Sequence, residues 1–142
     1  VNNNDDYTFE IGKSITLREG SDITVIATGL LVGEAVKAAD ALKDQGISVR
    51  VIDMHTIKPL DEEAVLKAAK ETGKIITAEE HNVIGGLGDA VAGVLSQKLP
   101  TPLVKIGVND EFGYSGPGGE LLKEFGLCAS HIEEVVKQAL GK

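Results

Sequence analysis

Thr77-Ala-Glu-Glu-His-Asn-Val-Ile-Gly-Gly-Leu-Gly-Asp-Ala-Val-Ala-Gly-Val-Leu95 is the stretch whose reading decides the fold. A short apolar strand, opened by Lys74-Ile-Ile, runs into the carboxylates of Glu79 and Glu80 and the imidazole of His81. Gly85 and Gly86, with Gly88 just beyond, then mark a tight turn. After the turn Leu87, Ala90, Val91, Val94 and Leu95 follow the i, i+3, i+4, i+7, i+8 spacing of a core-facing helical stripe. Strand, turn and helix make one unit, and Pro100-Thr-Pro102 closes it.

The same unit recurs on either side. Upstream, Ile23-Thr-Val-Ile-Ala-Thr28 reads as a buried strand ended by Gly29. A helix over Gly33–Gln45 follows, carrying Ala35, Val36, Ala39 and Leu42 on one face and Gly46 past its end. Ser48-Val-Arg-Val-Ile-Asp53 is a second strand. Pro59-Leu60-Asp61 opens a helix whose acidic first turn (Asp61, Glu62, Glu63) suits the helix dipole, which buries Val65, Leu66 and Ala69, and which stops at Gly73. Downstream, Leu103-Val-Lys-Ile-Gly-Val108 is the last strand. The Gly-rich run Gly113-Tyr-Ser-Gly-Pro-Gly-Gly119 leads to a short helix with Leu121, Leu122 and Phe125. Ser130-His-Ile-Glu133 has the spacing of a capping box, so a separate final helix is expected to start there and bury Ile132, Val135, Val136, Ala139 and Leu140.

Strands separated by helices pair in parallel through right-handed crossovers. The stretch Tyr7–Gly20 breaks this rhythm. Its alternation (Tyr7, Phe9, Ile11, then Ile15, Leu17) predicts a half-exposed strand, and only the turn Glu19-Gly20-Ser21-Asp22 joins it to the next one. It is therefore expected antiparallel, at an edge. The fold class is α/β, a three-layer α/β/α domain with a mixed five-stranded sheet. Residues 1–6, rich in Asn and Asp, read as a flexible lead-in, and 7–142 as the domain.

Composition narrows the function. The chain has 142 residues, 42% apolar and only 4% aromatic, so one core of Val, Ile, Leu and Ala is expected. A net charge of -8, with basic residues scattered singly, argues against nucleic acid or an anionic membrane as partner. The single cysteine, Cys128, permits no internal disulfide and suits a reducing compartment, so a cytoplasmic location is expected. No apolar run approaches the roughly 20 residues that span a bilayer, and no signal peptide is visible. The only methionine is Met54, inside a strand end, while the chain opens on Val1. The sequence is therefore expected to be a piece of a longer protein.

In open α/β sheets ligands and partners meet the carboxyl ends of the strands, where strand order reverses. Those ends are Thr28-Gly29, Asp53-Met54-His55, Ala78-Glu79-Glu80-His81 and Gly107-Val108-Asn109-Asp110. If the Ile23 strand is central, the one ending at Glu79 is its expected neighbour, and the opening stretch borders the crevice. Gly85-Gly-Leu-Gly88 before a helix could cradle a phosphate. However, the dinucleotide spacing counted from Gly86 requires Gly or Ala at position 91, where Val91 stands, and two carboxylates face the helix's positive end. Glycines for a tight turn and close packing are the favoured reading. Glu79, Glu80 and His81 could ligate a metal or form an acid/base pair, but paired acids at such a place more often cap or face solvent. His55 and His131 stand alone, Cys128 lacks a cationic neighbourhood, and Ser115 does not sit on a nucleophile turn. No catalytic, cofactor-binding or metal set is complete. The candidate interface or crevice residues are Gly29, His55, Glu79, Glu80, His81, Gly85, Gly86 and Gly88.

Over about Phe9–Leu140 the chain resembles the C-terminal domain of the transketolase family of thiamine diphosphate enzymes. The residues that carry the resemblance are Gly12-Lys13, Leu17-Arg-Glu-Gly20, Thr24-Val-Ile-Ala-Thr-Gly29, Lys58-Pro-Leu-Asp61, Glu79-Glu-His81, Ile84-Gly-Gly-Leu-Gly88 and Phe112-Gly-Tyr-Ser-Gly116. The Lys-Pro-Leu-Asp and Glu-Glu…Gly-Gly-x-Gly patterns are shared with deoxyxylulose-phosphate synthases and 2-oxoacid dehydrogenase β subunits. The His after the paired Glu, the Ile-Gly-Gly-Leu-Gly form and the Phe-Gly-x-Ser-Gly run favour transketolase, in particular the C-terminal section of the split type. The resemblance implies a five-stranded sheet with the first strand antiparallel. It also implies a parent that moves a two-carbon ketol unit from a ketose phosphate to an aldose phosphate with thiamine diphosphate and Mg. The family's Gly-Asp-Gly…Asn magnesium motif is broken here at Gly88-Asp89-Ala90, and a domain supplying the activating Glu is not read within these 142 residues. By that implication the fragment binds no cofactor and is inactive alone. It makes homodimer contacts and meets the cofactor-binding domains, or N-terminal section, of its parent, and Glu79–Gly88 is an interface and packing element. The alternatives are one of the two other parents, or a small-ligand regulatory module using the edge around Gly29, His55 and His81.

Overall fold

The computed structural model describes residues 14–28, 31–54, 61–80, 86–108 and 118–141, with the backbone alone at 80, 107–108 and 118–128. The elements in order are β1 (Ile15–Arg18), β2 (Ile23–Ala27), α1 (Leu31–Lys43), β3 (Val49–Asp53), α2 (Glu62–Thr72), β4 (Ile75–Glu80), α3 (Leu87–Lys98), β5 (Leu103–Val108) and α4 (Gly118–Leu140). The sheet order is β1-β3-β2-β4-β5. β2 is central, parallel to β3 on one side and to β4 on the other, and β5 extends the parallel set. β1 lies antiparallel on the outer edge of β3, as the short turn and the broken rhythm predict, and it is half-exposed, as its alternation predicts.

All five residues of β2 are buried because the sheet is covered on both faces. Ile23, Val25 and Ala27 join a core with α1 and with Ile132 and Val136 of α4. Ile26 points the other way, into a core with Val65 and Ala68 of α2 and Leu87, Val91 and Leu95 of α3. Three layers result, and among the described residues the two core clusters are made of Val, Ile, Leu, Ala and Met54. The helix ends follow local chemistry. Asp61 caps α2 by accepting from the Ala64 N–H (3.2 Å), and Gly73 closes it at φ 76° with its N–H on the Ala69 carbonyl. Asp61 also accepts from the backbone N–H and hydroxyl of Ser14 (2.8 and 2.9 Å), tying the start of β1 to the start of α2. Val36, Leu66, Ala90, Val135, Ala139 and Leu140, expected in the core, are only partly buried, and Ala38 and Ala68 complete the α1 and α2 stripes.

The structure corrects two element boundaries. Gly118–Leu140 is one helix of 23 residues, so Ser130 and Glu133 lie in its interior and cap nothing. No proline interrupts Leu121–Ala129, and one interior glycine, Gly126, costs a helix only about 1 kcal/mol. A Ser and a Glu three residues apart fit a helix interior as well as a cap. The second correction is that β4 continues past Ala78 to Glu80, because Glu79 and Glu80 pair with Gly107 and Val108 of β5.

The turn after β1 does not form a hairpin. It carries the chain across the start of β3 and into β2. Asp22 and Ser48 fix this crossing reciprocally: the Asp22 N–H donates to the Ser48 carbonyl (2.9 Å), and the Ser48 N–H donates to the Asp22 carboxylate (2.8 Å). Gly20 is buried at the crossing. A Cβ there would overlap the Val49 carbonyl carbon and the Arg50 nitrogen and lie 2.7 Å from the Val49 oxygen. Beyond the crossing, Arg18 reaches α1 and donates to both oxygens of Asp40 (2.9 and 3.2 Å).

Two outcomes follow. Gly20→Ala meets backbone on three atoms, with no flexible neighbour to yield, so equilibrium denaturation should show a loss of more than about 3 kcal/mol. The hydrogen bond from Arg18 holds the Asp40 carboxyl below the usual carboxylate range, with desolvation opposing it and the Arg18 and Lys43 charges helping. A lowered folded-state value stabilises above the unfolded value and is lost as pH falls through the folded one. Asp40→Asn should therefore melt below the parent at pH 7 in low salt, and the gap should close as pH falls below about 4 or salt rises.

Candidate functional site

The helix that follows the glycine turn has a defect at its start. α3 begins at Leu87 with Gly86 as its N-cap (φ -84°, ψ -149°), and no cap side chain is available to bond its first free N–H groups. Strand alternation supplies the remedy. Ile76 and Ala78 point into the core beneath α1 and α4, so Glu79 points to the other face, where α3 begins. One oxygen of its carboxylate accepts from the Leu87 N–H (2.8 Å) and the other from the Gly88 N–H (2.7 Å). Both are charge-assisted bonds at the positive end of a helix dipole. Glu79 is thus the cap of α3, supplied from the neighbouring strand.

The surroundings are built to match. Gly88 is buried, and a Cβ on it would lie 3.1 Å from Glu79 Oε2 and 3.1 Å from Lys105 Cδ. Lys105 lies on β5 two residues before Gly107, the partner of Glu79, and so shares its face. Its stem runs over Gly88, and its Nζ pairs with Asp89 in the first turn of α3 (2.9 Å). A carboxylate, a cation and a second carboxylate therefore occupy the helix start. A phosphate placed on these N–H groups would have to displace Glu79. Among the described residues no three His, Cys, Asp or Glu side chains are grouped as a metal site.

Of the candidate residues, the structure brings together Glu79, Gly86 and Gly88. Glu80 closes β4 in register with Val108. Gly29, His55, His81 and Gly85 lie outside the described residues, as do Asn109, Asp110 and Ser115. At the ends of the neighbouring strands Thr28 donates its N–H to the Ala78 carbonyl (3.3 Å), joining β2 to β4. Met54, which the sequence places on the polar edge, is fully buried in the core beneath α2 and α3. Lys105 and Asp89 escape sequence reasoning. Their signal is the β4–β5 register, which puts Lys105 on the face of Glu79, and that register is not readable in either strand alone.

Removing the cap leaves two donors unsatisfied, so Glu79→Ala should cost about 2 kcal/mol, and Glu79→Gln, which keeps one accepting oxygen, about 1 kcal/mol. Gly88→Ala should destabilise the parent by about 1 kcal/mol, because the carboxylate it crowds is held by two bonds. In the Glu79→Ala background the same change should stabilise by a few tenths to about 1 kcal/mol, since the held carboxylate is gone, the flexible Lys105 stem can shift aside, and helix propensity then dominates. Urea melts of the four proteins of this cycle would test the sign reversal.

The model of the family described as transketolase, C-terminal domain, matches residues 12–132. The chain is 50% identical over 129 residues to a 6-deoxy-6-sulfo-D-fructose transketolase subunit of Clostridium sp. (strain MSTE9), covering 91% of this chain and 39% of that protein. It is 46% identical over 141 residues to a putative transketolase C-terminal section of Methanocaldococcus jannaschii, covering 99% and 44%. Among solved structures, a split-gene transketolase described as an inactive beta4 tetramer superposes with a TM-score of 0.84 at 47% identity, covering 96% of this chain and 45% of that one. The chain thus spans less than half the length of these relatives. With the five-stranded mixed sheet and its antiparallel edge strand, these matches place the chain in the transketolase C-terminal domain family.

Proposed function

We propose that this chain is the C-terminal, non-catalytic and dimer-supporting domain of a split-type transketolase. Its parent transfers a two-carbon ketol unit from a ketose phosphate to an aldose phosphate. The observation that carries the non-catalytic reading is the use made of Glu79. The most reactive-looking constellation in the sequence spends its carboxylate on two backbone N–H groups, and its glycine on close packing. The split-type reading draws on the relatives, which include a transketolase subunit and a C-terminal section. A split-gene relative that is inactive as a beta4 tetramer accords with a chain that needs a partner section for turnover.

In the parent, thiamine diphosphate and Mg²⁺ would supply the carbanion chemistry. The start of α3 fits neither group. The positive end of α3 already holds a carboxylate where a diphosphate would need donors, and Gly88-Asp89-Ala90 lacks the second glycine of the magnesium motif. Binding the cofactor therefore falls to other domains or to an N-terminal section. The contribution of this domain is contact, between copies and with that section. No helix among the described residues is long and apolar enough to cross a membrane, and the working location we propose is the cytoplasm.

Differential scanning fluorimetry of the chain with thiamine diphosphate and Mg²⁺ should show no shift in Tm, and the chain alone should transfer no ketol unit. A cofactor-dependent rise of several degrees would overturn the proposal. In the intact parent, deletion of 7–142 should move the sedimentation profile from dimer towards monomer, whereas an unchanged dimer would remove the dimer-supporting role. Assaying the intact parent with ketose phosphate, with pyruvate plus an aldose phosphate, and with a 2-oxoacid distinguishes transketolase from the two other parents.

A further inference from the structure

We draw no further inference here: the strongest candidate, the open apolar groove of Ala92, Leu95, Pro100 and Leu103 between the end of α3 and the start of β5, carries nothing because nothing in the structure shows what covers it.

Discussion

A helix that starts on a glycine has dangling donors and no side chain to satisfy them, and here the missing acceptor comes from the adjacent strand. The two bonds from Leu87 and Gly88 to Glu79 join the end of β4 directly to the start of α3. That join sets where α3 enters its layer, and hence how Leu87, Val91 and Leu95 meet Ile26 and Val65 in the core. It also explains why the surrounding positions are so restricted. The carboxylate must reach two N–H groups side by side, so the residue beneath it must be small. Asp89, one position on, can then be balanced by Lys105 instead of competing for the same donors.

The rest of the domain is held by many modest contacts. Among the described residues both core clusters are built from branched aliphatics and alanines, with Met54, and such side chains hold the layers by packing at close range. Close range requires backbone approach, which Gly20 provides where the chain crosses β3. Three ion pairs lie at the rim: Arg18 with Asp40, Lys98 with Glu62, and Lys105 with Asp89 leave between 45% and 67% of each side chain exposed. Such pairs select register and element contacts more than they add stability.

Much of this could be read from the sequence because it is local. The period of two in the strands, the helical stripes, Asp61 as a cap and Gly73 as a stop each need only a few neighbouring residues. The edge position and direction of β1 followed from a short turn and from the parallel rhythm of everything after it. The partner of β1 did not, because crossing to β2 past β3 depends on how Gly20 and Ser48 meet in space. Ser130 misled for the opposite reason: a local cap signature was present, but the helix continued through it while Ile132 and Val136 settled into the core. At the site, glycine density pointed rightly to close packing. The acceptor role of Glu79 was only one of several readings until strand β4 was seen to extend through it. Its fit to α3 is a tertiary fact, as is the place of Lys105.

The crossing at Gly20 also bears on the order in which the domain can assemble. Ile15 pairs with Asp53, so β1 finds its partner only after β2, α1 and β3 have been traversed. The unit β2–α1–β3 can close on its own short-range contacts, but β1 adds a long-range pairing whose loop-closure entropy must be met first. Until that strand docks, β3 has an open, unpaired margin of the kind that recruits strands from other chains. Docking of β1 is thus the step that closes this margin of β3, and the Ser14–Asp61 and Arg18–Asp40 ties anchor its two ends.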